Sequence, residues 1–153
     1  MVIAALNTSR LVELVRFIET CMEEIRPFGS MTLEEFLSDR KNPPYVESYL
    51  RRALEAMFDT GRHILAKTQG FRESEYKAIA RALGTSGVVT EDLSLVLVKM
   101  AGYRNRMVHF YREISAEELH SIAVNDLEDI REFTRQISAF IESAGAVQGQ
   151  NNP

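Results

Sequence analysis

An arginine, a histidine five positions on and a tyrosine two further stand in the segment Tyr103-Arg104-Asn105-Arg106-Met107-Val108-His109-Phe110-Tyr111. Those side-chain types suit phosphoryl transfer on RNA. An imidazole titrates near neutrality, so a histidine at 109 can move a proton to or from a ribose hydroxyl. The guanidinium of Arg104 is permanently charged and forked, and can hold the negative charge that develops on a phosphate. The expected catalytic pair is therefore Arg104 and His109, with no metal or other cofactor. Asn105, Arg106 and Arg112 form a supporting set that could meet RNA phosphates, although Arg106 and Arg112 read equally well as solvated charges. Asp39 belongs to this set as one of three acids, with Asp59 and Asp126, that could pair with Arg104.

The helix that must carry these residues can be read from its apolar stripe. Leu93, Val96, Leu97 and Met100 recur at helical spacing, and whole turns from Met100 lead to Arg104 and then to Met107 and Val108. Arg104 thus stands where an apolar residue was due, a costly placement unless the charge is paired, hydrated or faces a cleft. Five positions on an ideal helix are about 140° apart around its axis. Arg104 and His109 converge only through the length of the arginine, a helix that loosens before His109, or a partner subunit. The bare spacing is a weak signal. Read alone, His109 is a structural histidine at a helix end and Tyr111 a half-buried aromatic.

The rest of the chain supplies further helices. Leu11, Leu14, Val15, Ile18, Met22 and Ile25 share one stripe that stops near Pro27 and Gly29. Thr32-Leu33-Glu34-Glu35 has the form of a capping box and opens a short helix ending near Asp39. Pro43-Pro44 starts a long one whose inward positions run from Val46 to Leu65. A shorter segment follows around Tyr76 to Leu83. Thr90 caps the helix of the motif, and Ser115-Ala116-Glu117-Glu118 opens a single last helix running from Leu119 to Ile141. No strand alternation competes, so the expected class is all-α, an up-and-down helical bundle with short accessory helices. One helical domain spans residues 1–143, and residues 144–153, rich in Gly, Gln and Asn, form a flexible tail.

Composition narrows the function classes. The chain has 153 residues, 45% hydrophobic and 26% charged, with a formal charge of −4, so it does not coat nucleic acid with its whole surface and any RNA must meet a local basic site. Cys21 alone forms no disulfide framework, and no apolar run suits a signal peptide or a membrane span. A cytoplasmic setting follows. Asp59 and His63, four apart, read as a helix-surface pair rather than metal ligands, and His120 as solvent-exposed. No phosphate-binding loop, dinucleotide fingerprint, nucleophile elbow or zincin pattern occurs.

The order of helices, the segment Leu33-Glu34-Glu35-Phe36-Leu37-Ser38-Asp39-Arg40, the long helix after it and the pattern Arg104-x4-His109-x-Tyr111 together resemble the HepT branch of the HEPN superfamily. The resemblance covers residues 9 to 141, and Asn105 matches the polar residue that commonly follows the motif arginine. It implies a toxin with metal-independent endoribonuclease activity, whose motif marks the active site and whose two chains pair so that their motifs lie close together. It also implies a cognate minimal nucleotidyltransferase (MNT) antitoxin that adenylylates the tyrosine matching Tyr111. Two other readings remain open at this point. One is a non-catalytic helical subunit that presents nucleotide or substrate to a nucleotidyltransferase, and the other a structural dimer module with a degenerate motif.

Overall fold

A computed structural model of the chain describes residues 5–109 and 114–150, with side chains as far as residue 145. Seven helices and no strand occur among the described residues: α1 (Thr8–Gly29), α2 (Leu33–Ser38), α3 (Asn42–Gln69), α4 (Tyr76–Thr85), α5 (Glu91–Met107), α6 (Ala116–Asn125) and α7 (Leu127–Gln150). The all-α bundle expected from the stripes is the fold observed, with α2, α4 and α6 as its short members.

Polar residues set most of the boundaries. Asn7 caps α1, Thr32 caps α2 by accepting the N–H of Glu35 at 3.1 Å, and Ser115 and Glu118 make the reciprocal capping box of α6. Pro43 and Pro44 occupy the first turn of α3, where their missing N–H groups cost nothing. That helix ends at Gly70, whose φ of +64° is open to glycine and strained for other residues.

The long helices α1 and α3 lie against each other, and α1 also packs on α6 and α7. Phe36, Phe58 and Phe133, all fully buried, join Leu11, Ile18, Leu54 and Ile137 in the core between them. Helix α4 packs chiefly on α5. A Cβ on Gly84 would lie 2.5 Å from Ser94 Cβ, so this glycine lets the two backbones approach. The hydroxyl of Ser94, buried at the same crossing, donates to Ala80 O at 2.8 Å. The α4–α5 pair is thus fixed by backbone proximity and one buried polar contact, which gives the motif a firm base.

The single last helix of the sequence reading is two helices. Asp126 interrupts it, in a turn conformation between α6 and α7. The apolar stripe passes from Ala123 to Ile130, two whole turns, without losing phase, so the interruption leaves no mark in the pattern. Helix α7 then continues to Gln150, beyond the point at Ala144 where the stripe ends. No helix among the described residues is long and apolar enough to cross a membrane.

Candidate active site

Helix α5 presents the motif through the stripe that predicts it. Thr90 Oγ1 accepts the N–H of Leu93 at 3.2 Å, Glu91 and Asp92 sit in the first turn, and Leu93, Leu97, Met100 and Ala101 are buried. One turn beyond Met100 the stripe delivers Arg104. The helix ends at Met107, and the His109 N–H donates to Arg106 O at 3.2 Å in a tightened last turn. The helix therefore ends before His109 in a tightened turn rather than by loosening.

Arg104 is drawn inward. Its side chain is 25% exposed, with Cζ 4.4 Å from the centre of the Tyr76 ring. Tyr76 in turn stacks on Phe58, the ring centres 4.7 Å apart and the planes 19° from parallel. A guanidinium over an aromatic face keeps favourable electrostatics while largely removed from water, which explains how an arginine occupies an apolar position. Its acid is Glu55 of α3, with Nη2 3.9 Å from Oε1. None of the three acids expected from sequence takes that part. Asp39 accepts the Lys41 N–H at 2.9 Å in the turn into α3, Asp59 pairs with Arg62 at 3.2 Å, and Asp126 faces Lys99 at 3.9 Å. Pairing across the bundle depends on how helices cross, which spacing along the chain does not report. Arg104 Nε is buried without a hydrogen-bond partner among the described residues.

His109 is exposed and stands at the border of two cavities. One, of about 290 Å3, lies toward the start of α3 and is lined by Pro44, Glu47, Ser48, Arg51, Arg106 and Met107 besides His109. The other, of about 480 Å3, lies between α4 and α5, with Lys77, Lys99, Gly102, Tyr103, Asn105 and Arg106 around His109. Arg106 and Asn105 are thus brought to His109. Arg104 lines neither cavity, and Asp39 is apart from both. Within one chain, Arg104 rests on Tyr76 and beside Glu55, and is not among the residues lining the cavities that His109 borders. Tyr111 and Arg112 lie outside the described residues.

Arg106 has a structural partner that the sequence did not disclose. Its Nη1 and Nη2 each donate to Glu118 at 2.8 Å, joining the last turn of α5 to the first turn of α6. The guanidinium beside Glu118 holds that carboxyl below its ordinary range, with the Ser115 backbone N–H adding to the effect. Sequence reasoning gave Glu118 only its capping role. It also missed Glu55, Tyr76, Lys77, Lys99 and Tyr103, none of which carries a local signal. Burial pushes the Asp126 carboxyl up, against the pull of Lys99.

The other histidines have structural surroundings. His63 Nε2 accepts the Asn7 N–H at 3.3 Å, and its imidazole is lowered by burial, then by Lys67 and Arg10. His120 is not solvent-exposed as its polar neighbours suggest: Nε2 lies 2.7 Å from Met31 O, and its ring packs on Phe36. The contact ties α6 to the α1–α2 turn, again a tertiary relation. Among the described residues no three His, Cys, Asp or Glu side chains gather as a metal-binding group.

Comparison with known proteins identifies the family and the fold. The chain is 25% identical over 121 residues to the tRNA nuclease HepT of Aphanizomenon flos-aquae, covering 78% of this chain and 82% of that one. It is 28% identical over 131 residues to the mRNA nuclease HepT of Shewanella oneidensis, covering 84% and 96%. Among solved structures, the tri-AMPylated HEPN toxin of Shewanella oneidensis in complex with MNT antitoxin superposes with a TM-score of 0.75 at 27% identity, over 84% of this chain and 96% of that one. YutE of Bacillus subtilis, at 21% identity and a TM-score of 0.74, shares the fold. Residues 18–137 match the model of the family described as Ribonuclease HepT-like, and the chain belongs to that family.

Proposed function

We propose that this chain is the toxin of a HEPN/MNT toxin–antitoxin pair, an endoribonuclease that cleaves RNA without a metal ion in the cytoplasm. The ribose 2′-OH attacks the adjacent phosphorus, the 5′ oxygen of the next nucleotide leaves, and the products are a 2′,3′-cyclic phosphate and a 5′-OH. His109 takes the proton from the 2′-OH or gives one to the leaving oxygen. Arg104 stabilises the charge that grows on the phosphate oxygens.

The observation that carries this reading is the state of the motif on a chain of this family. His109 is exposed at the border of two cavities, and Arg104 keeps a buried Nε with no hydrogen-bond partner among the described residues. Because Arg104 lines neither of the cavities that His109 borders, the working unit is a homodimer in which Arg104 of one copy approaches His109 of the other. An MNT-type nucleotidyltransferase is the cognate antitoxin and silences the toxin by adenylylating Tyr111.

Cleavage of RNA by the purified protein in excess chelator tests the activity. Wild type should cleave and leave cyclic phosphate ends, while His109→Ala and Arg104→Ala should each lose at least about a hundredfold, the usual scale for removing a general acid–base or an oxyanion-type stabiliser. Circular dichroism should show the helical content unchanged. Cleavage at wild-type rates by either variant removes that residue from the mechanism, and a strict need for added Mg2+ overturns the metal-free chemistry.

A further inference from the structure

The larger cavity beside His109 has features the two motif residues do not account for. Two of the chain's four lysines, Lys77 on α4 and Lys99 on α5, line it together with Arg106, and the described residues of its lining include no carboxylate, in a protein whose formal charge is −4. The three cations are not equivalent. Arg106 is engaged by Glu118 at 2.8 Å, and Lys99 lies 3.9 Å from Asp126 and 5.6 Å from the centre of the Tyr103 ring. Lys77 has no ion-pair partner among the described residues.

Gly102 provides a second, independent observation. It stands in the interior of α5, where glycine is disfavoured relative to alanine, and it lines the same cavity. A Cβ there would meet no atom within 4 Å. Close packing in this chain therefore does not require a glycine, unlike Gly84, whose Cβ would strike Ser94. What the missing side chain does is leave the wall between Lys99 and Tyr103 low. At about 480 Å3, the space is in the usual range for a small-ligand site, ~300–1,000 Å3.

We propose that this cavity is a nucleotide subsite, which seats the RNA nucleotide flanking the scissile bond. Lys77 and Lys99 hold its phosphate, and Gly102 leaves room for the sugar and base. The inference rests on the ribonuclease reading for the identity of its ligand. Lys77 and Lys99 are positioning residues here, since the bond that breaks lies at His109.

Binding of a fluorescent 2′-O-methyl oligoribonucleotide reads the subsite without cleavage, because the capped 2′ oxygen cannot attack. In anisotropy titrations, Lys77→Gln and Lys99→Gln should each weaken binding about tenfold, the scale of one charge-assisted phosphate contact. Gly102→Val should weaken it similarly while the mass measured by light scattering stays the same. Replacing the phosphates one at a time by neutral methylphosphonate should identify one linkage whose neutralisation weakens wild type but adds nothing to the loss in Lys77→Gln, the signature of a direct pair. Unchanged affinity in Lys77→Gln, or additive losses at every linkage, overturns the subsite whether or not the protein cleaves RNA. A Gly102→Val protein that alters its oligomeric mass and binds RNA normally would give this face to a second copy of the chain instead. Failure of wild type to cleave an unmodified oligonucleotide that it binds through Lys77 would strike the nuclease reading and leave the subsite standing.

Discussion

Arg106 and Glu118, twelve residues apart, share two parallel hydrogen bonds of 2.8 Å, and the pair joins the two ends of the connection between α5 and α6, which begins with Val108 and His109. A forked guanidinium on a carboxylate fixes direction as well as distance. Glu118 also holds the start of α6 through the capping box, so one carboxylate positions both ends of the connection.

Glu118→Gln should lower stability at neutral pH by about 0.5–1 kcal/mol, a small value because both side chains are more than a third exposed. The pH dependence has a definite sign. The carboxyl is held below its ordinary range in the folded chain, so its contribution is present above the unfolded pKa and is lost as pH falls through the folded value. Melting curves of wild type and variant should therefore converge in acid and separate toward neutrality. A gap that stays constant from neutrality through the acid range would mean that the variant acts through packing instead.

Tyr76 should matter for catalysis without touching substrate, because its ring is the surface on which the Arg104 guanidinium rests. Tyr76→Phe keeps that face and should retain cleavage within about twofold, while Tyr76→Leu should lose about tenfold in kcat. The rescue by phenylalanine distinguishes positioning from a role for the hydroxyl. Equal activity in the leucine variant would show that the contact with Glu55 suffices to place Arg104.

Arg104 and Asp126 show how far the sequence could be read. The stripe of α5 flags Arg104 as a charge where an apolar residue was due, and that position belongs to the candidate site. The break at Asp126 goes unflagged, because the stripe of the last segment runs on in phase across it, and period alone carries no information about what lies across the bundle. Caps at Thr32, Thr90 and Ser115 are legible because their partners lie three residues away. Glu55, Tyr76, Lys77 and the second role of Glu118 are not, because each depends on a crossing between helices remote in sequence. His120 was misread for the same reason, its partner Met31 being 89 residues distant.

The absence of Arg104 from the cavities that His109 borders leads to a test by subunit mixing. Arg104→Ala and His109→Ala proteins should each be inactive alone. If Arg104 of one copy serves His109 of the other, a mixed dimer carries one site with both residues intact. Unfolding and refolding the two variants together should then restore about a quarter of wild-type activity, as half the dimers are mixed and half of their sites are whole. No recovery, in mixtures that light scattering shows to be dimeric, would place both residues of a site on the same chain.

Control by the antitoxin concerns Tyr111, two residues beyond His109. AMP on that tyrosine would set a bulky nucleotide and a negative phosphodiester next to the groups that must receive RNA phosphate, so sterics and like-charge repulsion both oppose substrate. Incubation with the cognate nucleotidyltransferase, ATP and Mg2+ should add mass in units of AMP to the peptide containing Tyr111, and RNA cleavage should fall in step with the modified fraction. Tyr111→Phe should gain no mass on that peptide and should keep its activity in the presence of the transferase. Since binding of the antitoxin could also cover the site without chemistry, the modified toxin should be assayed after the transferase has been removed. Activity that returns on removal while the AMP remains would assign inhibition to the complex rather than to the modification.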